Sequence, residues 1–304
     1  MQTKPFDTVC IVGAGFMGAQ IGLRCAIHGY AVCLVDYALE QLQRAAESQV
    51  QELDERLEKQ RITAEAKVAI LSRIHFTTSM GEGTSEAGLV IEAVPEVLEV
   101  KREVFAQLDA ICPEHTILAT NSSSIRISAI EDVTKRLDKV LNMHFYAPVV
   151  ERPMVELMRG TTTSDETIET ARQFARTIEM TPLVVRKEST GFIFNRVWRA
   201  IKKECLQVVD EGVASHEDVD RAWIIAFGAS EGPFGMMDII GLDVVRDIEM
   251  VYCRESGDAS DAPPQILLDK IERGELGVKM GKGFYRYPDP AFEAPGWLEG
   301  GEGS

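Results

Sequence analysis

Two residues able to move a proton lie twelve positions apart in NMHFYAPVVERPMVELMRG, residues 142–160. His144 stands at the end of one apolar run and Glu156 inside the next. An imidazole, with an unperturbed pKa of ~6.5, can accept a hydroxyl proton near neutrality. A neighbouring carboxylate would fix its tautomer and stabilise the imidazolium that forms. By themselves the two fit an acid/base pair and an ordinary polar pair at a sheet edge equally well.

A second group of residues narrows the chemistry. GAGFMG places Gly13, Gly15 and Gly18, with Phe16 and Met17 between them, after a strand-like TVCIV and at the head of a helical pattern. In such a turn the first glycine allows the tight bend, the second admits a pyrophosphate to the backbone, and the third lets helix and sheet pack closely; the helix N-terminus attracts the phosphate charge. Asp36 ends the next strand-like run, about twenty residues on, where a carboxylate binds ribose hydroxyls and repels a 2'-phosphate. Tyr37 follows where an NADP enzyme often carries Arg. Together these residues predict an NAD site. An alcohol giving up hydride to NAD needs a base for its hydroxyl proton, and His144 ends a predicted strand, on the side where open α/β sheets bind ligands.

These residues need a scaffold, and the first two-thirds of the chain supplies the pattern for one: short β-branched runs alternate with helical segments, as in a parallel α/β sheet. TVCIV, AVCLVD, GLVIEAV, HTILATNSSS, KVLNMHFYAP, PMVELM and PLVVRK read as strands. The charged stretch from Leu39 to Ile74 has apolar residues at helical spacing and a break near Arg61, so it reads as a helical hairpin inserted into the Rossmann-type unit. After RKESTG the pattern is helical throughout. The expected organisation is an α/β, Rossmann-type NAD-binding domain over 1–188 and an all-helical C-terminal domain over 189–304. In the latter, Ser215 with Asp218 marks a helix start and Gly212 a helix stop, while the tail GWLEGGEGS is expected to be disordered.

Composition sets limits. The 304 residues are 45% hydrophobic, enough for large cores, and carry 32 Lys and Arg against 48 Asp and Glu, a formal charge of −16. That balance argues against a nucleic-acid-binding surface and means that any phosphate must be held by local groups. The scattered cysteines, Cys10, Cys25, Cys33, Cys112, Cys205 and Cys253, form no CxxC pair and read as buried thiols, so no metal site is expected. With neither a signal-peptide pattern at the N-terminus nor a long apolar run, a soluble cytoplasmic protein without a membrane partner is expected.

Beyond the glycine turn, EAVPEVLEVKREVF, TNSSS, HF followed by VE, GFIFNR, GPFGMMDIIGLD and GKGFYRY occur in an order and spacing that resembles the 3-hydroxyacyl-CoA dehydrogenase family across nearly the whole chain. The resemblance implies oxidation of an L-3-hydroxyacyl thioester to its 3-oxo form, or the reverse, in fatty acid metabolism, with NAD as cofactor, CoA as carrier and a homodimer formed through the helical domain. It makes His144 the general base and Glu156 its partner. Ser123 becomes a donor to the reacting oxygen and Asn195 a neighbour of the reacting centre; alone, these would read as a strand-end turn and a helix cap. Glu96, Lys101 and Ser123 match residues near the nicotinamide ribose, Lys279 a C-terminal residue of the cofactor site, and Lys59 a basic residue that meets the CoA phosphates.

The chain also departs from that pattern. Where the family usually reads HFFNP, it has HFYAP, so Ala147 removes an amide; VVERP brings Glu151 and Arg152 into a mostly apolar segment. Arg152 is either a solvated loop charge or a clamp for a substrate carboxylate. Lys59 and Arg61 stand in an acidic stretch, QELDERLEKQR. Two other readings therefore stand beside the first: the same chemistry on a free hydroxy acid, an alcohol or aldehyde, or a carrier-protein-bound substrate; and an NAD-binding protein without catalysis.

Overall fold

The computed structural model describes residues 3–300, and the chain divides after Ile193 into two compact units. In the first, β1 (Thr8–Val12), α1 (Phe16–Ile27), β2 (Ala31–Val35), α2 (Leu39–Glu58), α3 (Ala64–Leu71), β3 (Ile74–Thr77), α4 (Met80–Thr84) and β4 (Leu89–Glu92) are followed by α5 (Leu98–Ile111), β5 (Ile117–Thr120), β6 (Val140–Phe145), β7 (Met154–Arg159), α6 (Asp165–Thr177) and β8 (Thr181–Val185). The strands form one eight-stranded sheet in the order β3-β2-β1-β4-β5-β6-β7-β8. Alternate residues of β1 feed different cores: Val9 and Ile11 pack with α1, α2 and α6, Cys10 and Val12 with Phe105 and Leu108 of α5. Burial on both faces is why these strands read as continuous apolar runs.

The sheet is not parallel throughout. β7 runs antiparallel to β6, because the eight residues between Phe145 and Met154 are too few for a helical crossover. β3 escapes a pattern reading: IHFT is short, carries an exposed histidine and abuts the hairpin. The hairpin itself breaks after Lys59, and Thr63 caps α3 by accepting the Ala66 N–H. The segment after β8 stays with the first unit, since Glu188 accepts hydrogen bonds from Ser128 and Glu156 accepts one from Ile193 N. All six cysteines are free, and no helix is long and apolar enough to cross a membrane among the described residues.

The second unit holds α7 (Phe194–Asp210), α8 (His216–Phe227), α9 (Pro233–Ile240), α10 (Leu242–Ser256) and α11 (Gln265–Glu272), then short 3-10 turns. GMMDIIGLDVVRDIEMVY is two helices rather than one, separated at Gly241, whose φ of 98° ends α9. Ser215 caps α8 through the Asp218 N–H. Two fully buried aspartates organise this core. Asp220 accepts from Phe234 N, Gly235 N and the Tyr285 hydroxyl; Asp238 accepts from Phe284 N, Tyr285 N and the Tyr287 hydroxyl. The expectation of a disordered tail is wrong for 296–300: Trp297 is buried, its ring stacked under the Arg221 guanidinium and its carbonyl bound to Arg221 Nε. An aromatic with an Arg partner outweighs the surrounding glycines. Residues 301–304 of that tail lie outside the described residues.

Candidate active site

The glycine turn joins β1 to α1. Gly13 has φ 106°, and a Cβ there would meet Ala93 O at 2.6 Å; a Cβ at Gly18 would collide with the Gly13 carbonyl. Both glycines are therefore required by the protein's own packing. Gly15 is different, because a Cβ there would meet nothing within 4 Å. The space in front of it is open, at the head of a helix with no side-chain cap, which is where a dinucleotide pyrophosphate fits. Phe16 is largely exposed beside it, and Met17 is half-buried against the core. Asp36, just past β2, uses both oxygens on backbone: Oδ2 accepts Ala14 N and Oδ1 accepts Ala38 N, each at 2.9 Å. The carboxylate thus ties the glycine turn to the end of β2.

A second cluster forms past the ends of β4 and β5. Lys101 on α5 is buried, with Nζ 2.7 Å from Glu92 Oε1 and 3.3 Å from Glu96 Oε2. Glu92, fully buried at the end of β4, also accepts from Val94 N and Thr120 Oγ1. Glu96 Oε1 accepts from Ser123 N (3.1 Å), Ser124 N (2.9 Å) and the Ser122 and Ser124 hydroxyls. Burial alone would raise the Glu96 pKa; the Lys101 charge and the serine donors outweigh it and hold the group at about 2. Glu96, Lys101 and Ser123 are therefore one connected cluster in which Lys101 is an internal strut.

His144 and Glu156 stand directly opposite each other in the antiparallel β6–β7 ladder, so their side chains share a face. His144 Nδ1 is 3.3 Å from Glu156 Oε2. The same oxygen accepts the Tyr146 hydroxyl at 2.6 Å, and Oε1 accepts Ile193 N at 2.9 Å. The imidazole lies between the rings of Tyr146 and Phe192, with centroids at 4.4 and 4.9 Å. Asn121, one residue beyond β5, accepts Phe145 N and ties the end of β6 to the serine turn.

Lys59, Arg56 and Arg61 line a cavity of about 340 Å³ between α1, α2 and the turn after β6, together with Glu52, Glu55, Gln49 and Glu151. Lys59 is paired with Glu55 and Arg56 with Glu52. Arg152 is exposed on the same turn; Ala147 precedes the Pro148 that lines the cavity. In the second unit Asn195 lies in the first turn of α7, and Lys279 is ion-paired with Asp243.

Residues 8–189 match the family described as "3-hydroxyacyl-CoA dehydrogenase, NAD binding domain", and 191–287 its C-terminal domain. The chain belongs to the 3-hydroxyacyl-CoA dehydrogenase family. It is 35% identical over 279 residues to a 3-hydroxybutyryl-CoA dehydrogenase of Clostridioides difficile, covering 92% of this chain and 99% of the relative. The solved (S)-3-hydroxybutyryl-CoA dehydrogenase of Ralstonia eutropha superposes with a TM-score of 0.87 at 34% identity, covering 93% of this chain and 100% of that one. A diketoreductase acting on dicarbonyl compounds superposes at 0.81 and 31% identity, covering 94% and 100%. Like the rest of its family this dehydrogenase is an NAD-dependent oxidoreductase, and the open approach to Gly15 fits the pyrophosphate of that cofactor.

The motifs assign no role to Tyr146, Asn121, Glu92 or the Ile193 N–H. A signal existed for the first: in a strand, residues two apart share a face, so a tyrosine at 146 extends along the side that carries His144. No sequence signal pointed to Ile193, whose N–H reaches Glu156 across the fold from 37 positions away.

Proposed function

We propose that the protein oxidises an L-3-hydroxyacyl-CoA to the 3-oxoacyl-CoA, or catalyses the reverse, with His144 as the general base. The observation that carries this reading is the His144–Glu156 contact through Nδ1. With the Nδ1 proton held toward the carboxylate, Nε2 offers its lone pair to the substrate hydroxyl. NAD, when bound, accepts the hydride that leaves the same carbon. Glu156 offsets the positive charge that the imidazole acquires, and Ser123 and Asn195 are assigned to the substrate oxygen and the reacting centre. Glu96 and Lys101 set the serine turn against the nicotinamide ribose, Asp36 takes the adenosine ribose, and Lys279 is assigned to the cofactor. Lys59 and Arg61, which line the cavity, are assigned to CoA phosphates, and a homodimer through the helical unit completes the expected assembly.

One observation favours a different carrier. Glu52, Glu55 and Glu151 share the cavity with the basic residues, and two of them neutralise Arg56 and Lys59. A free 3-hydroxy acid or a dicarbonyl compound without phosphates is the substrate that such a lining would suit, with Arg152 as a carboxylate clamp.

The test is turnover, followed by NADH absorbance, of acetoacetyl-CoA, free acetoacetate and a neutral diketone. The proposal expects acetoacetyl-CoA to be reduced with the highest kcat/KM, and expects His144→Gln to lose at least the roughly 10²-fold of general acid-base catalysis while still binding NAD. Faster turnover of the free acid or diketone would transfer the assignment to the second reading. Full turnover by a folded His144→Gln protein would remove His144 from the chemistry, and no turnover of any substrate by the wild type would leave an NAD-binding protein without this catalysis.

A further inference from the structure

The Tyr146 hydroxyl and the His144 ring meet the same atom, Glu156 Oε2, and the tyrosine is the closer of the two, at 2.6 against 3.3 Å. A hydroxyl donor on a carboxylate oxygen draws negative charge from that oxygen, and in a buried setting such a bond is among the strong ones. We propose that Tyr146 is a positioning residue of the dyad: its hydroxyl fixes the Glu156 carboxylate between two donors and, by sharing Oε2, lowers the proton affinity of the His144 imidazole. The proposal rests on the reading of His144 as the base only for its kinetic consequence.

The geometry leaves the tyrosine well placed for this. Glu156 is fully buried and Tyr146 nearly so, so solvent does not dilute the interaction. Oε1 is held separately by Ile193 N at 2.9 Å, which stops the carboxylate rotating away from the two donors on Oε2. Of the first unit's segments around the pair, the turn after β6 contributes Tyr146 itself and β7 Glu156. Beside them, the uncharged Asn121 follows β5, and β8 places Leu183 in register with Glu156. The segment after β8 contributes the Phe192 ring, while its Glu188 is engaged with Ser128 N and Oγ at 3.0 and 2.6 Å.

The sign follows. In Tyr146→Phe one donor to Oε2 is lost, more of the carboxylate charge on that oxygen faces the imidazole, the imidazolium is favoured, and the midpoint rises relative to the wild type. Oxidation needs the neutral ring, so the acid limb of kcat/KM moves to higher pH; reduction needs the imidazolium, so its alkaline limb moves the same way. Loss of a hydrogen bond to a charged group, felt in part at the neighbouring ring, moves the midpoint by about 0.5–1 pH unit.

The experiment follows the ring protons of the five histidines by NMR across pH in the full-length protein, with the His144 signal identified by its loss in His144→Gln. In Tyr146→Phe the His144 midpoint is expected to rise by about 0.5–1 unit, and replacing Tyr146 by 3-fluorotyrosine, a stronger donor, should lower it. In a Glu156→Gln background, Tyr146→Phe should move it no further. An unmoved midpoint in Tyr146→Phe, or an equal rise in the Glu156→Gln background, would overturn the proposal. A shifted NMR midpoint with an unmoved kinetic limb would support the positioning role and refute His144 as the base, so the two ideas fail separately.

Discussion

Replacing Lys101 by Met removes the only ammonium in contact with Glu92 among the described residues, and the cost can be worked from the contacts. Lys101 and Glu92 are both buried, at 1% and 0% side-chain exposure, with Nζ 2.7 Å from Oε1. Methionine fills most of the space but leaves the carboxylate with only the Val94 N–H and Thr120 hydroxyl as donors. Breaking a buried pair on one side costs about 3–5 kcal/mol, a large part of a typical total of about 5–15. Glu96 also loses its cation, so the serine turn it holds should loosen and NAD affinity should fall. In Glu92→Gln with Lys101→Met the buried charge at position 92 is gone, and most of the stability should return, because a neutral pair of similar volume is often no worse than a buried ion pair. The NAD affinity should not return, since Glu96 still lacks its partner. Urea unfolding and NAD titration of both variants check this. A Lys101→Met loss below about 1 kcal/mol would refute the idea that the lysine compensates a buried charge, and full recovery of NAD binding in the double variant would refute the link through Glu96.

Other consequences can be measured independently. Asp36→Asn keeps a carbonyl acceptor but removes the charge, so NAD should bind more weakly and the preference over NADP should narrow; equal affinities in the wild type would contradict the assignment. If CoA is the carrier, Lys59→Glu should raise KM more than it lowers kcat, by an amount that shrinks with added salt; an unchanged KM for acetoacetyl-CoA would leave Lys59 as a partner of Glu55 alone. Burial pushes Asp220 up to about 6, against the backbone and tyrosine donors that hold it down. Its folded value is therefore above the unfolded ~3.9, and stability is lost as pH rises through that interval. Relative to Asp220→Asn, the wild type should gain about 1 kcal/mol between pH 7 and pH 5, measured by urea unfolding at the two pH values; no difference between the two proteins' pH dependences would refute it.

The legible parts of this fold were those fixed by local pattern. A strand, a glycine turn and a helix in sequence imply one another through backbone sterics, and the strand ends then locate Asp36 and His144 without knowledge of the rest. What escaped depends on pairing across the chain. The short connector implies that β7 turns back on β6, but it does not fix the register that puts Glu156 opposite His144. Lys101 looks like any exposed lysine of a charged helix until β4 and the loop after it place Glu92 and Glu96 around its head group. Trp297 is surrounded in sequence by residues that favour disorder, and its partner, Arg221, is 76 positions away.

The carboxylates of the site share a physical role that residue-type reasoning does not suggest. Asp36 accepts Ala14 N and Ala38 N, Glu92 accepts Val94 N, Glu96 accepts Ser123 N and Ser124 N, and Glu156 accepts Ile193 N. Each ties down backbone in a loop at or beyond the end of a strand, and those loops carry the residues assigned to cofactor and substrate. This explains how a chain of net charge −16 can present an anion-binding turn. The acids nearest the site are engaged by N–H groups, hydroxyls and Lys101, while at the open approach to Gly15 the head of α1 carries no side-chain cap and is free to meet a pyrophosphate. It also predicts that truncation and charge removal will differ: Asn or Gln keeps an acceptor for the loop and should affect mainly the charge, whereas Ala releases the loop and should weaken ligand binding wherever the ligand's own charge is small.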